Sequence, residues 1–380
     1  MKIAVNAADL DHSRIDGTRI YIQNILKNFG PASRDRRDHF LIYHKNKLNP
    51  ELIFPVFDNY SIKKLPFPFY WTQTRFAWEI FRTRPDVLWM PMHSLPYLRS
   101  KKTKTVVTIH DLAFKFFPQF FNRKDLRRLN FFTDYAVRNA DRLIAVSNST
   151  KKDILKLYPE TKEDKIKVIY HGYDKDLFNE NISEEEMNEV KSRYGLPASP
   201  SGRRVSRYVI YVGALQPRKN LDVLVDAFES LRRDESYKDI GLVIAGDLGW
   251  MYKDFLKRIE TNPAITAIGK FETRDLPMLL RGAEALIFPS LYEGFGLPAL
   301  EAMACGVPVI AADNSSLAEI VGEAGILFDA YSRDNLAKSL IKILESDKLR
   351  DDLQQKGLER VKGFSWEKCA RETLEWLTKW

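Results

Sequence analysis

Residues Ser290 to Asp313 read SLYEGFGLPALEAMACGVPVIAAD. A glycine-rich turn (Gly294, Gly296) feeds a short apolar helix pattern, and a buried-type strand follows. Pro298 at the helix start and Gly306 just past its end are ordinary helix punctuation. Two glutamates, Glu293 and Glu301, bracket the turn with seven residues between them. Three readings compete. In the first, these residues only shape a turn and the glutamates lie on the surface. In the second, Gly294-x-Gly296-x-x-Ala299 is a dinucleotide fingerprint and Asp313 holds a ribose, as in an NAD(P)-dependent oxidoreductase. The four residues "SLYE" then delay the glycine after the strand, and Glu301 has no role. In the third, the helix N-terminus takes an anion and the carboxylates accept sugar hydroxyls. Glu301 takes a ribose, Glu293 a hexose, and a diphosphate lies between them, so the ligand is a nucleotide-sugar.

Outward from this stretch, strands and helices alternate along the chain. "KIAVNA", "HFLIYH", "DVLWMP", "KTVVTIH", "DRLIAVS", "KIKVIYHG", "RYVIYVGAL", "IGLVIAGD", "EALIFPS" and "VPVIAAD" read as short strands. Patterns such as "GTRIYIQNILKNF", "LDVLVDAFESLRR" and "NLAKSLIKILES" have helical periodicity. Apolar strands alternating with helices predict parallel sheets covered on both faces, a doubly wound α/β fold occurring twice. A chain of 380 residues also exceeds one ordinary core. The boundary falls between "VIYHGYD" and "RYVIYVG", where the acidic run Glu184–Glu186 precedes the loop "GLPASPSGRR". Pro197–Arg204 in that loop reads as a flexible insertion. This gives domains of residues 1–175 and 176–363, then a helix over residues 364–380 that packs back toward the first domain.

Hydrophobic residues make up 44% and charged residues 29%, the balance of a folded soluble protein. No apolar run approaches the roughly 18 residues that cross a bilayer, and the N-terminus reads as a first strand, not a signal peptide. Two distant cysteines, Cys305 and Cys369, fit a reduced, cytoplasmic setting and spell out no metal site. Residues 1–180 hold 32 Lys and Arg against 20 Asp and Glu, and the remainder 27 against 31. The basic half, with clusters at Arg34–Arg37, Lys101–Lys104 and Arg123–Arg128, is either a solvated surface or one that attracts an anionic partner. The aromatic segments "LPFPFYW" and "FKFFPQFF" are expected to pack in the core, with a membrane-skirting surface as the second reading.

The stretch EGFGLPALEAMACGVPVIAAD resembles the donor-binding signature of retaining glycosyltransferases of family 4, which have the GT-B fold. "VGALQPRKNLDVLVDAF" is similar to the family segment that opens the second domain, and "VTIHDLAF" to its first-domain histidine motif. "LIAVSNSTKKDI", "VIYHGYD" and "AEIVGEAGILFD" occur in the family's order, so the resemblance covers nearly the whole chain. The chain departs from the pattern where Ala214 and Leu215 follow Gly213 in place of an arginine, and where Arg19 in "DGTRIY" stands at a common glycine.

The resemblance implies two Rossmann-like domains facing a central cleft. It implies that His110 and Glu293 lie at the catalytic centre. Arg218, Lys219, Gly17, Thr18, Gly296 and Leu297 would bind the diphosphate, and Glu301 the ribose. Glu293, Gly294 and Phe295 would bind the sugar, and Lys270 and Phe271 the base. With two cations and a helix end to meet the leaving diphosphate, no metal or other cofactor is expected. The implied activity is transfer of a hexose, mannose first, to a glycan or lipid-linked acceptor in surface polysaccharide or glycolipid synthesis. GDP-mannose is the first donor and a UDP-hexose the second. Contact with an anionic membrane at the inner face is implied, and nucleic acid is not. A nucleotide-sugar-binding relative without turnover is the alternative.

Overall fold

The computed structural model describes residues 1–13, 15–33, 38–196, 207–247 and 253–380. The cluster Arg34–Arg37 and the segment Pro197–Arg204 lie outside the described residues. The β-branched runs form two parallel sheets. The first holds β1 (Lys2–Asn6), β2 (His39–His44), β3 (Tyr60–Lys64), β4 (Val87–Met90), β5 (Lys104–Ile109), β6 (Arg142–Ala145) and β7 (Ile166–Val168), in spatial order β3-β2-β1-β4-β5-β6-β7. The second holds β8 (Arg207–Val212), β9 (Ile240–Ala245), β10 (Ile265–Gly269), β11 (Leu286–Phe288), β12 (Val309–Ala312) and β13 (Gly325–Phe328), in order β10-β9-β8-β11-β12-β13.

Each order runs one way from a central strand and then reverses. The reversal falls between β1 and β4 in the first sheet and between β8 and β11 in the second. Loops leaving the carboxyl ends of those neighbours diverge, which opens a crevice in a doubly wound sheet. Central strands are buried on both faces: Val209 to Tyr211 of β8 and Ile287 of β11 have no exposed surface.

The structure differs from the sequence expectation in three ways: strands absent from that expectation (β3, β10 and β13), the acidic run, and one aromatic segment. β3 reads "YSIKK" and buries only Tyr60, so its edge position left no apolar run. The acidic run near the boundary is the first turn of the helix Glu184–Arg193, closed by a capping box between Ser183 and Glu186. Third, Leu65 and Trp71 of "LPFPFYW" are buried, but Phe67, Phe69 and Tyr70 between them are exposed. In "FKFFPQFF" core packing holds for Phe114, with Phe116 and Phe121 packed against the core and Phe117 and Phe120 half-buried, and it fails for the middle of the earlier segment.

The chain divides into two units, Met1–Gly172 with Phe364–Trp380, and Tyr173–Gly363. In the first, the helix Trp366–Thr378 lies along the helix Gly17–Ala32. Gly172 passes so close to this helix that a Cβ there would fall 2.1 Å from the Trp366 nitrogen. The far end is held by Arg142 of β6. Its guanidinium lies 4.3 Å from the Trp376 ring centre and 4.1 Å from that of Trp380, and Nη1 donates to the Trp376 carbonyl at 2.7 Å. Cation–π contacts of this kind contribute about 0.5–2 kcal/mol each.

Candidate active site

In the second unit, β8 runs into a tight turn, Pro217–Lys219, and then the helix Leu221–Leu231. Asn220 joins them in the left-handed conformation, at φ 57°. Its Nδ2 donates to the carbonyls of Pro289, at 3.1 Å, and Ala330, at 2.7 Å. The neighbouring strand β11 runs into the loop 289–296. Leu291 N–H donates to the Arg218 carbonyl at 2.9 Å, which fastens the two loops together. Both leave the carboxyl ends of the strands at the sheet's reversal point.

This fastening brings three charged side chains into contact. Lys219 Nζ lies 2.5 Å from Glu293 Oε1, and Arg218 Nη1 lies 3.2 Å from Oε2. Arg218 also donates to the Tyr292 carbonyl. All three side chains are under 15% exposed, so water screens them weakly. Burial acts to raise the Glu293 pKa, but the charges of Lys219 and Arg218 outweigh it and hold the carboxyl at about 2. Glu293 is therefore ionised at neutral pH.

The next helix, Leu297–Ala304, starts from Gly296 at φ 106°. That backbone favours glycine, and a Cβ there would also meet Leu317 at 2.8 Å. Leu297 is the first helical residue and Pro298 the second. The turn is braced from behind by residues that sequence reasoning missed. Ser315 Oγ accepts the Glu293 N–H at 3.0 Å. Ser316 Oγ is 2.9 Å from the carbonyls of both Glu293 and Phe295, and Asn314 Nδ2 donates to the Ser290 carbonyl at 3.1 Å. Their only sequence signal is the polar run "NSS" directly after an apolar strand.

Glu301 sits on the second turn of that helix, half-buried. Its carboxyl has no hydrogen-bond or ion-pair partner among the described residues. Burial, and then the charge of Asp174, raises its pKa to about 7. The two glutamates thus differ sharply: Glu293 is charge-paired and acidic, Glu301 unpaired and near its midpoint at neutral pH. Gly294, Phe295 and Tyr292 lie buried in the same loop. Lys270 and Phe271 follow β10, the outer strand on the β8 side. Lys270 is exposed and Phe271 half-buried.

His110, Gly17 and Thr18 belong to the first unit. His110 directly follows β5, its ring Nε2 donating to the Pro91 carbonyl at 2.8 Å. That bond puts the proton on Nε2 and leaves the Nδ1 lone pair as acceptor in the neutral ring. Burial keeps the ring neutral by lowering its pKa, against the Pro91 carbonyl and Asp111. The backbone N–H of His110 donates to His93 Nε2 at 2.7 Å. His93, after β4, also escaped the sequence reading, and the bare "MHS" gave no signal for it. Tyr21 meets the His110 ring edge-on at 5.0 Å. Gly17 and Thr18 open the helix Gly17–Ala32, which Asp16 caps by accepting the Arg19 N–H at 3.3 Å. The Arg19 guanidinium pairs with Asp16 and donates to the Asp9 carbonyl at 3.1 Å, so it braces its own loop.

Among the described residues, no group of three or more His, Cys, Asp or Glu could hold a metal ion. Both cysteines are free and buried.

Two parallel, doubly wound sheets, the second with basic and acidic side chains in contact at its reversal point, define an α/β protein of two Rossmann-like units. Comparison with known proteins narrows the class. The family model for glycosyltransferase family 4 matches residues 32–177, and that for glycosyl transferases group 1 matches residues 201–360. The chain belongs to this glycosyltransferase family, and its fold is GT-B.

Among curated relatives, it is 29% identical to O-antigen chain mannosyltransferase B of Escherichia coli, over 73% of this chain and 71% of that protein. It is 30% identical to an uncharacterized glycosyltransferase of Methanocaldococcus jannaschii, over 63% of this chain and 60% of that one. Among solved structures, HepE of Anabaena in complex with UDP and glucose superposes with a TM-score of 0.74 at 19% identity, over the full length of both chains.

Proposed function

We propose that this glycosyltransferase moves a hexose from a nucleotide-diphosphate sugar to a glycan or lipid-linked acceptor, with retention of configuration and without a metal. The observation that carries the reading is the contact of Lys219, Arg218 and Glu293 at the reversal point of the second sheet. The reaction breaks the bond from the anomeric carbon to the diphosphate oxygen, and the electron pair leaves with the diphosphate. The acceptor hydroxyl oxygen bonds to that carbon, and its proton passes to the departing phosphate oxygen. Charge therefore grows on the diphosphate, where two cations and the N–H groups at Gly296 and Leu297 stabilise it. These cations stand in for the charge a divalent ion would supply.

A diphosphate competes with Glu293 for Lys219 and Arg218. Carboxylate lone pairs released from the cations then become acceptors for sugar hydroxyls. Glu301 is suited to the ribose because its carboxyl has no protein partner to displace. His110, neutral and with its donor committed to Pro91, offers an acceptor lone pair to a sugar hydroxyl. Gly17 and Thr18 would add helix-start N–H groups to the diphosphate, and Lys270 and Phe271 would meet the base.

Mannose is the first choice of sugar because the relative matched over most of its length is named a mannosyltransferase, and GDP-mannose is accordingly the first donor. A UDP-hexose is second, since the Anabaena protein of the same fold was solved with UDP-glucose. We place the enzyme in the cytoplasm at the inner membrane face. No helix among the described residues is long and apolar enough to cross a membrane. The test is turnover of GDP-mannose, UDP-glucose and UDP-galactose in the presence of EDTA, with the anomeric product assigned by NMR. Retained configuration and less than a tenfold loss in EDTA, under about 1.4 kcal/mol of barrier, support the reading. Donor binding without hydrolysis or transfer would leave the non-catalytic binder.

A further inference from the structure

The segment Leu65–Trp71 is built to hold aromatic side chains in water. Its two ends are anchored. Leu65 is 1% and Trp71 5% exposed. Trp71 Nε1 donates to the Leu65 carbonyl at 2.6 Å, and its ring stacks on Phe76 with centres 4.8 Å apart. Between the anchors, Phe69 is 71% and Tyr70 72% exposed, and Phe67 is 40% exposed. Pro66 and Pro68 fix φ on either side of Phe67, and Tyr70 sits at φ 41°, a strained conformation for a bulky residue. Water gives no reason to hold three aromatic rings outward on a braced loop.

The loop continues into a wider patch. Gln73 N–H donates to the Tyr70 carbonyl at 2.8 Å. The Gln73 side chain reaches across to the Leu95 carbonyl, at 3.0 Å, and accepts the Tyr97 N–H at 3.0 Å. Tyr97, 43% exposed, lies with its ring 6.2 Å from that of Phe131, which is 61% exposed on the helix Arg123–Asn139. On that same helix Arg123, Lys124, Arg127 and Arg128 are all exposed. At the other end of the patch, exposed Lys64 directly precedes the loop, and Lys45 Nζ donates to the Pro68 carbonyl at 3.3 Å.

Aromatic rings rimmed by lysine and arginine fit the headgroup boundary of an anionic phospholipid bilayer. Amphipathic rings favour that depth and the cations meet lipid phosphates. We propose that the loop Pro66–Tyr70, with Tyr97 and Phe131, docks the first unit on an anionic membrane surface, the loop inserting its rings and Arg127 and Arg128 contacting headgroups. Charge complementarity favours an anionic bilayer over the like-charged first unit of a second copy. The inference deepens the proposed inner-face location and is independent of which donor is used.

The test uses the full chain in flotation with phosphatidylcholine vesicles, with and without phosphatidylglycerol. Wild type should float with the anionic vesicles and lose that binding as salt is raised. Phe69→Ala/Tyr70→Ser and Arg127→Glu/Arg128→Glu should each weaken binding about tenfold or more. Because Cys305 and Cys369 are buried, Phe69→Cys can carry a polarity-sensitive dye. Its emission should shift to the blue on anionic vesicles, while the same dye on Tyr331→Cys, in the second unit, stays unchanged.

Donor binding, measured in parallel by calorimetry, should be equal in all variants. Vesicle binding that ignores both double variants, or a dye at position 69 that never leaves water, overturns the docking surface. A dye shift that depends on protein concentration and not on lipid would instead show self-association and overturn it too. Lost donor binding in every variant, wild type included, would count against the transferase reading and not against the surface.

Discussion

Lys219 and Glu293 meet at 2.5 Å although 74 residues separate them, because each follows one of the two strands at which the second sheet reverses its order. The pair joins two loops that also share a backbone hydrogen bond, from Leu291 to Arg218. A cation and an anion fixed in this way are already placed before a substrate arrives, and such preorganisation costs nothing at the moment of reaction.

Replacing Glu293 by Gln should lower kcat/KM about a hundredfold or more, about 3 kcal/mol of barrier. It should change the affinity for free nucleotide diphosphate far less, since the cations remain. The same variant has an acid signature. The folded pKa of about 2 lies below that of an unfolded glutamate, about 4.3. The stability this contributes is fully present above about pH 4.3 and is lost as pH falls toward 2. Glu79, held at about 2 by Lys63, Arg75 and Arg82 against its burial, titrates in the same window. The difference between wild type and Glu293→Gln in urea melts therefore isolates Glu293, and it should shrink as pH falls through that range.

Glu301 should show the opposite sign. Its folded pKa, about 7, lies above the unfolded value, so the fold is favoured by the protonated form. That contribution is complete below about pH 4.3 and disappears as pH rises through 7. Glu301→Gln should accordingly gain stability over wild type as pH increases from about 5 to about 8. Ribose hydroxyls bind the ionised carboxylate best, so nucleotide binding near pH 6 should release a proton. Calorimetry in buffers of different ionisation heat reads that proton directly. Equal proton release by wild type and Glu301→Gln would move the ribose contact elsewhere.

His93 should act through His110. Its Nε2 accepts the His110 N–H, so it must be neutral, and burial keeps it so by lowering its pKa. His93→Ala should cut kcat about tenfold or more while leaving the donor KM nearly unchanged, because the substrate is not touched. His93→Gln, whose amide oxygen can accept the same bond, should recover much of the loss. Parallel steady-state kinetics on the three proteins decide it.

The central strands were legible because both of their faces are buried, which writes an unbroken run of β-branched and aromatic residues such as Val209 to Val212. β3 was not, because four of its five residues face solvent at the sheet edge. The paired glutamates could be picked out by spacing, and their opposite protonation could not. That difference comes from Lys219 and Arg218 reaching Glu293 across the sheet and missing Glu301. Ser315, Ser316 and His93 act through backbone atoms far away in sequence, and no local pattern records such a partner. The aromatic loop carried a hydrophobic signal that sequence reads as core. Only the outward direction of Phe69 and Tyr70 reverses it.

The chain completes its first unit with its final helix, after the whole of Tyr173–Gly363 has intervened. During synthesis, the helix Gly17–Ala32 and Arg142 must wait for Trp366–Trp380 while roughly 190 further residues are made, about 10–40 s at ordinary translation rates. Meanwhile the buried face formed by Tyr21 and His171 lacks its Trp366 neighbour. The second unit, continuous in sequence, leaves the ribosome complete before the first can close. A released chain ending at Gly363 should therefore show a protease-resistant second unit beside a first that is still readily cut.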